Sequence, residues 1–190
     1  IRHHGFDPKT ALIELAPREG EDFLRTEDIC ALIDHMGSRI ATVMLPGVQY
    51  LTGQRFDIEA ITRCARRHGC MIGFDLAHAI GNVPLRLHDW GVDFAVWCSY
   101  KYLNAGPGAI GGCFVHDRHI RSRDIPRFAG WWGHDKSTRF EMPAAFHPMT
   151  DHPALAVLAY RSQLVNRAFE AVEDMPMPRG YHLEAQFVYV

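Results

Sequence analysis

Two short apolar segments, each closely associated with a charged residue, stand out in the pattern of hydrophobic and polar positions. Residues 70–76 and 92–98 are rich in β-branched and aromatic side chains, which is typical of strands buried on both faces of a sheet. Asp75 lies near the end of the first segment, and Lys101 follows the second. Both are therefore predicted at the carboxyl edge of one sheet, where open α/β folds bind their ligands.

Helical patterns alternate with the strands. One helix is predicted from Thr26, which can act as its cap, to Gly37, and another from Asp57 to Gly69. A strand, Ile40–Leu45, lies between them. Strands joined by helices imply right-handed parallel connections. The predicted fold class is therefore α/β, a mainly parallel sheet with helices on both faces.

The remaining segments are less regular. We predict a short strand over 11–15, a helical segment over 78–87, a last strand over 113–116 and a long amphipathic helix over 153–172. Asn104 and the glycines that follow it up to Gly112 can form an anion-binding backbone nest or a tight turn, and the sequence leaves both open.

Composition and charge exclude several classes of protein. The 190 residues suffice for one substantial core, and 47% hydrophobic and 22% charged residues are ordinary globular values. A formal net charge of −2 argues against a nucleic-acid partner. The chain has no apolar stretch of the roughly 18 residues that a membrane span needs, and its start lacks a signal-peptide core. We predict a soluble, cytoplasmic protein that binds neither a membrane nor nucleic acid.

The five cysteines indicate a reducing compartment. Their number is odd, no Cys-x-x-Cys spacing occurs, and three lie inside predicted helices or strands. We therefore predict reduced thiols in the core. His116 and His119 have a spacing that suits a pair of ligands, but with no third ligand in view we predict no metal site.

A carboxylate and an ammonium after two buried strands need a partner, because burying an unpaired charge is costly. One cofactor uses both charges. Pyridoxal 5′-phosphate bonds to a lysine through its aldehyde, and an acid keeps its pyridine nitrogen protonated so that the ring can accept electrons. From position alone, Lys101 can also be a solvated loop lysine, and Asp75 can cap the helical segment that follows it.

The residues around this pair resemble one enzyme family. The runs FDLAHAIGN, SYKYLNAGPG and GWWGH, with STRF close behind, resemble kynureninase, a pyridoxal-phosphate hydrolase of the aminotransferase fold type I. The resemblance implies an incomplete large domain of that fold type, with a partial cofactor-binding domain over 1–174 and a divergent tail over 175–190. Because the family is longer and this chain opens on Ile1, we expect an internal or truncated piece.

The resemblance also implies a reaction and a set of site residues. The reaction is hydrolysis of L-kynurenine, or its 3-hydroxy form, to an anthranilate and L-alanine in tryptophan catabolism. Lys101 is implied as the covalent anchor of the cofactor and the carrier of the substrate's Cα proton, and Asp75 as the partner of the pyridine nitrogen. His78 is implied as a cofactor contact. Tyr100 is implied as a phosphate contact and late proton donor. Trp131 is implied as a cofactor-site residue reached across the interface of a homodimer with shared active sites.

Two alternatives stay open. Another enzyme of the same fold type, such as a cysteine desulfurase or an aminotransferase, would keep the Asp, His and Lys but would lack the motif around them. The second alternative is an inactive or weakly cofactor-binding fragment, because the family's phosphate-binding and substrate-binding segments are missing. The loop between Phe140 and Pro153 is also shorter than in the family, and Asp151 replaces an Asn. We predict the fragment behaviour for the isolated 190 residues and kynureninase for an intact parent.

Overall fold

The structure is a computed structural model that describes residues 1–120, 133–141, 143, 144 and 147. Its helices are α1 (Pro8–Ala11), α2 (Thr26–Met36), α3 (Ile58–Arg67), α4 (Leu87–Trp90) and α5 (Asp117–Ile120). Its strands are β1 (Thr42–Pro46), β2 (Met71–Asp75), β3 (Phe94–Trp97) and β4 (Gly112–Val115). Short 3-10 helices occupy Arg2–His4, Gly37–Arg39 and Arg139–Glu141. The chain forms two compact units, Ile1–His116 and a second that begins at Asp117.

The four strands form one sheet in the order β1-β2-β3-β4. The first three strands are parallel, and β4 runs antiparallel to β3. Pro46 lies opposite Asp75, and Asp75 lies opposite Val96. The carboxyl ends of three neighbouring strands therefore meet at one edge, and the predicted mainly parallel α/β sheet is confirmed.

Helix α3 connects β1 to β2 and begins where the sequence predicts. The side chain of Asp57 accepts a hydrogen bond from the backbone N–H of Ala60 at 2.9 Å and so caps the helix. The backbone turns away after Arg67, with Gly69 in the left-handed region at φ 72°. Glycine adopts that conformation without the strain that a side chain would add.

The core lies on one face of the sheet. Ile72 and Phe74 of β2 and Ala95 of β3 are fully buried, and they pack with Ile29 of α2 and Ile61 of α3. Burying a large apolar side chain contributes roughly 1.5–3 kcal/mol. This apolar layer holds β2 and β3 side by side and so fixes the relative positions of the loops that follow them.

The opposite face is exposed in the described part of the chain. Met44 is 47% exposed, Met71 36% and Val96 41%. Phe94 lies on this face across Gly73, where an added Cβ would overlap its ring. Helices α2 and α3 thus pack on the same face of the sheet. No helix of the described residues covers the opposite face, where the sequence predicts a second layer of helices.

Three local predictions are wrong. Thr26 does not cap α2, because the N-cap residue is Arg25 and no side chain bonds there. The strand predicted over 11–15 is absent: α1, started by Pro8 and by the Asp7 cap, which accepts from the Lys9 N–H at 3.1 Å, takes in residue 11, and residues 12–15 are irregular. The helical segment predicted over 78–87 is a tight turn over 77–82, and α4 begins only at Leu87. The helix predicted over 153–172 and the boundary at 174 lie outside the described residues.

The cysteines match their prediction in part. All five are free, and Cys64 and Cys70 are buried. Cys113 is exposed on β4, so its predicted place in the core is wrong, and Cys30 and Cys98 are only half-buried. No helix in the described part of the chain is long and apolar enough to cross a membrane.

The second unit is described in part. Arg139 is buried, and its Nη2 donates to the carbonyl oxygen of His134 at 3.1 Å. The Nε2 of His134 lies 3.1 Å from the Thr138 hydroxyl. The backbone N–H of Asp135 donates to the His147 carbonyl at 2.7 Å. These contacts close a compact turn over 134–139.

A polar cluster joins α2 to α3. Asp34 Oδ1 lies 2.8 Å from His68 Nε2 and accepts from Arg67 Nη2 at 3.2 Å and from Cys64 Sγ at 3.4 Å. Burial is the main reason that the pKa of Cys64 is raised to about 12. The hydrogen bond from His68, followed by that from Cys64, lowers the pKa of Asp34.

Replacing Asp34 with Asn is expected to flatten the dependence of stability on acid pH. Because the folded-state pKa of Asp34 is lowered, its carboxylate stabilises the fold above the unfolded-state value of about 3.9, and this contribution is lost as the pH falls through the folded-state pKa. At neutral pH the urea concentration at the midpoint of unfolding should be higher for the natural chain than for Asp34→Asn. The difference between the two midpoints should disappear in acid. Asp22→Asn, at an exposed carboxylate, is the control. A gap that stays constant from neutral to acid pH would show that Asp34 does not act through its charge.

Candidate functional site

The carboxyl edge of the sheet is held together by backbone hydrogen bonds that continue past the strands. The N–H of Gly47, after β1, donates to the carbonyl oxygen of Asp75 at 2.8 Å. The N–H of Leu76, after β2, donates to the carbonyl oxygen of Val96 at 2.8 Å. The loops after β1, β2 and β3 therefore leave the sheet together, as the sequence predicts for the loops that carry Asp75 and Lys101.

Asp75 has one carboxylate oxygen in use. Its Oδ1 accepts from the backbone N–H of Ala77 at 2.9 Å and starts the tight turn after β2. The side chain is exposed, and no described residue donates to Oδ2. Asp75 thus starts a turn and not the helix considered from the sequence, and the turn uses only one of its two carboxylate oxygens.

Lys101 is half-buried and has two polar neighbours. Its Nζ donates to Cys98 Sγ at 3.0 Å and to Tyr100 Oη at 3.5 Å, and it lies 4.8 Å from the centre of the Tyr100 ring. The hydrogen bond to Cys98 is the main cause that raises the pKa of Lys101. The same bond is the main cause that lowers the pKa of Cys98. Lys101 is therefore not a freely solvated loop lysine.

A tight turn carries Lys101 out of the strand. The N–H of Asn104 donates to the Lys101 carbonyl at 3.1 Å, and that of Ala105 donates to the Ser99 carbonyl at 3.1 Å. Asn104 has a left-handed backbone with φ 54°, which Asn tolerates better than most residues. The Ser99 hydroxyl donates to the Ile110 carbonyl at 2.7 Å. Because these two amides are satisfied within the chain, the tight turn is favoured over an anion-binding nest at this point.

Aromatic rings from three loops meet around His78, and two of these loops also carry Asp75 and Lys101. The ring of His78 lies with its centroid 6.3 Å from that of Tyr50 and 6.2 Å from that of Tyr102. The loop after β2 can approach the backbone of Tyr102 closely because Gly81 has no side chain. A Cβ there would lie 2.9 Å from the Tyr102 carbonyl oxygen, and the residue has φ 74°. Tyr50 and Tyr102 are 74% and 46% exposed, so the rings are open to a ligand.

The sequence predicts much of this arrangement but not all of it. Asp75, His78, Tyr100 and Lys101 are placed on adjoining loops at one edge, as expected. Trp131 lies outside the described residues. Three further neighbours of His78 and Lys101 were not predicted from the sequence: Tyr50, Cys98 and Tyr102. The contact between Cys98 and Lys101 could have been predicted, since Cys98 lies at a strand end three residues before Lys101.

The histidines considered as metal ligands have other neighbours. The ring of His116 stacks on that of His88 with centroids 4.6 Å apart. The absence of a metal site stays a prediction.

Comparison with protein families assigns the chain to a family. The sequence profile of aminotransferase class-V matches residues 10–131. The chain belongs to this family. The matched range contains β1 to β4 and every predicted site residue, so the class-V assignment covers the whole edge described above.

Curated relatives of this class-V chain share much of its sequence. It is 62% identical over 146 residues to the kynureninase of Myxococcus xanthus, covering 77% of this chain and 34% of the relative. It is 56% identical over 146 residues to the kynureninase of Nematostella vectensis, covering 77% of this chain and 31% of the relative. The chain thus spans about a third of the length of these relatives.

A solved structure supports the fold. A cysteine desulfurase from Escherichia coli aligns with a TM-score of 0.51 and 19% identity, covering 78% of this chain and 42% of that one. At this identity the likeness concerns the fold, which is that of the class-V unit.

Proposed function

We propose that this chain carries the cofactor-binding and catalytic edge of a kynureninase, which hydrolyses L-kynurenine or its 3-hydroxy form to the corresponding anthranilate and L-alanine. The observation that carries the proposal is the placement of Lys101 and Asp75 after two adjacent parallel strands. The kynureninase relatives support the choice of reaction.

The described residues fit pyridoxal 5′-phosphate. Lys101 offers a half-buried amine, and Asp75 offers a carboxylate oxygen to which no described residue donates. The rings of His78 and Tyr102, in the loops that carry Asp75 and Lys101, add an aromatic surface. A cofactor with an aldehyde, a basic ring nitrogen and a flat ring matches these three features. When bound, it supplies an electron-accepting ring.

Each residue has a task in the proposed reaction. Lys101 holds the cofactor covalently and, when free, moves the proton of the substrate's Cα atom. Asp75 keeps a proton on the ring nitrogen through its negative charge. His78 contacts the cofactor ring. Tyr100, whose hydroxyl lies 3.5 Å from Lys101 Nζ, binds the phosphate and donates a proton late in the reaction.

The assembly is also part of the proposal. We propose a homodimer in which Trp131 reaches the partner's cofactor site. A change of Trp131 should then alter cofactor binding only in dimers, which sedimentation analysis can separate from monomers. The cytoplasmic location expected from the sequence stays a prediction.

A second proposal concerns the 190 residues on their own. Because they span 34% of the Myxococcus xanthus relative, we propose that they bind the cofactor weakly and do not turn over substrate by themselves. Detectable kynurenine cleavage by this chain alone would overturn that statement.

Substrate assays separate the proposed reaction from the alternative of the same fold. A kynureninase releases anthranilate and alanine from L-kynurenine, whereas a cysteine desulfurase releases alanine from L-cysteine and leaves persulfide sulfur. The assays use the 190-residue chain and a full-length protein that carries the same residues 1–142. We expect anthranilate from the full-length protein and no desulfuration. Desulfuration without anthranilate would replace kynureninase by the alternative.

A further inference from the structure

The contact between Cys98 and Lys101 has no task in the proposed reaction. Cys98 follows β3, and Lys101 lies one turn further on, so the chain brings Sγ to 3.0 Å from Nζ. The turn is fixed by the bonds of Ala105 to Ser99 and of Asn104 to Lys101. The backbone of this turn therefore holds the two residues close enough for their side chains to meet.

We propose that Cys98 is a positioning residue for Lys101. The Cys98 sulfur holds the free amine of Lys101 in place and shares its proton. The proposal rests on the proposed function of Lys101 as cofactor anchor. The proton moves between Nζ and Sγ, so the pair is either an ammonium with a thiolate or an amine with a thiol. Both forms contain the same number of protons, and no oxidant is needed.

The surroundings of the pair support this exchange. Among the described residues, Tyr100 is the other titratable group that contacts Nζ, and its hydroxyl also lowers the pKa of Cys98, after Lys101. Asp75 and His78 follow the neighbouring strand at the same edge. Cys98 is half-buried, so reagents in solution can reach the pair.

Among the other thiols, Cys64 also contacts a cation, since Arg67 Nη2 lies 3.5 Å from its Sγ. Cys64 and Cys70 are buried, however, and burial is the main cause that raises the pKa of each. Cys113 is exposed on the adjacent strand β4, where it lies opposite Val96. Because it is more exposed than the half-buried Cys98, it offers an internal control that the reagent can reach.

The exchange makes Lys101 a stronger base when it is free. A thiolate beside the ammonium stabilises the protonated lysine, which agrees with the raised pKa of Lys101. A lysine that binds its proton more firmly takes a proton from the substrate's Cα atom more favourably. The same effect means that Lys101 attacks an aldehyde only at higher pH, because the attacking amine must be neutral.

The first test needs no cofactor. The rate of alkylation by iodoacetamide is measured against pH for each thiol by peptide mass spectrometry, in the natural chain and in Lys101→Met. Since the thiolate is the reactive form, the Cys98 profile should move to higher pH in the variant, and its rate at neutral pH should fall by about threefold or more. The Cys113 profile should not move. A Cys98 profile that stays in place would overturn the proposal.

The second test uses pyridoxal phosphate. The amount of cofactor fixed to Lys101 by borohydride is measured against pH in the natural chain, Cys98→Ala, Cys98→Ser and the control Cys113→Ala. We expect the midpoint to move to lower pH in both Cys98 variants and to stay in the control. Less label at every pH with the same midpoint would indicate a purely structural role and would contradict the proposal. If Lys101 of the natural chain takes no label at any pH, the proposed function fails, and the alkylation profiles still decide the role of Cys98.

Discussion

Replacing Lys101 with Met is expected to abolish covalent capture of pyridoxal phosphate. The methionine side chain resembles the aliphatic part of lysine in length but has no amine. The covalent label after borohydride reduction should therefore fall to less than about 1% of the natural level. Intact-protein mass spectrometry measures the added phosphopyridoxyl group directly. The chain has three lysines, Lys9, Lys101 and Lys136, so background from other sites is small.

The matched control is Lys9→Met. Lys9 is exposed in α1, far along the chain from the sheet edge, and its removal should leave the label unchanged. Equal loss of label in both variants would indicate unspecific reaction with surface amines. Full label in Lys101→Met would place the anchor at another lysine and refute the assignment.

Replacing Asp75 with Asn is expected to weaken cofactor binding by about tenfold to a hundredfold. The amide oxygen of Asn can still accept the hydrogen bond from the Ala77 N–H, so the turn after β2 should persist. The amide has no charge with which to hold a proton on the ring nitrogen, and a hydrogen bond to a charged group contributes about 1.5–3 kcal/mol. Absorbance titration with pyridoxal phosphate measures the affinity.

A cofactor analogue makes this experiment specific. With 1-deazapyridoxal phosphate, in which carbon replaces the ring nitrogen, the natural chain and Asp75→Asn should bind with similar affinity. The comparison is a double-change cycle that isolates the contact between carboxylate and nitrogen. Asp89→Asn, at an exposed side chain of helix α4, is the control for loss of a negative charge. If Asp75→Asn weakens both ligands equally, the carboxylate acts on the turn and not on the ring.

The sheet and its carboxyl edge could be predicted because their signals are local. The apolar segments around Phe74 and Ala95 have strand composition, and both side chains are fully buried. Asp57 and Gly69 mark the start and end of α3 in the way that helix ends require. Parallel pairing then places the residues after β2 and β3 together without further information.

The parts that could not be predicted depend on contacts between distant segments. His78 lies between Tyr50 and Tyr102, which come from two other loops, and no periodicity in the sequence links them. The turn after β2 approaches Tyr102 closely only because Gly81 lacks a side chain. At the start of the chain the error was of another kind. The apolar residues at 11–15 suggest a strand, but Asp7 and Pro8 start a helix that ends at Ala11, and the residues after it pair with no strand.

The central claim is that Lys101 is the cofactor's anchor at this edge of the sheet. The measurement that tests it most directly is peptide mapping of the natural chain after incubation with pyridoxal phosphate and reduction by borohydride. The expected result is one phosphopyridoxyl group, on Lys101, with Lys9 and Lys136 unmodified. Label spread evenly over the three lysines, or found on Lys9 or Lys136 without Lys101, would contradict the claim.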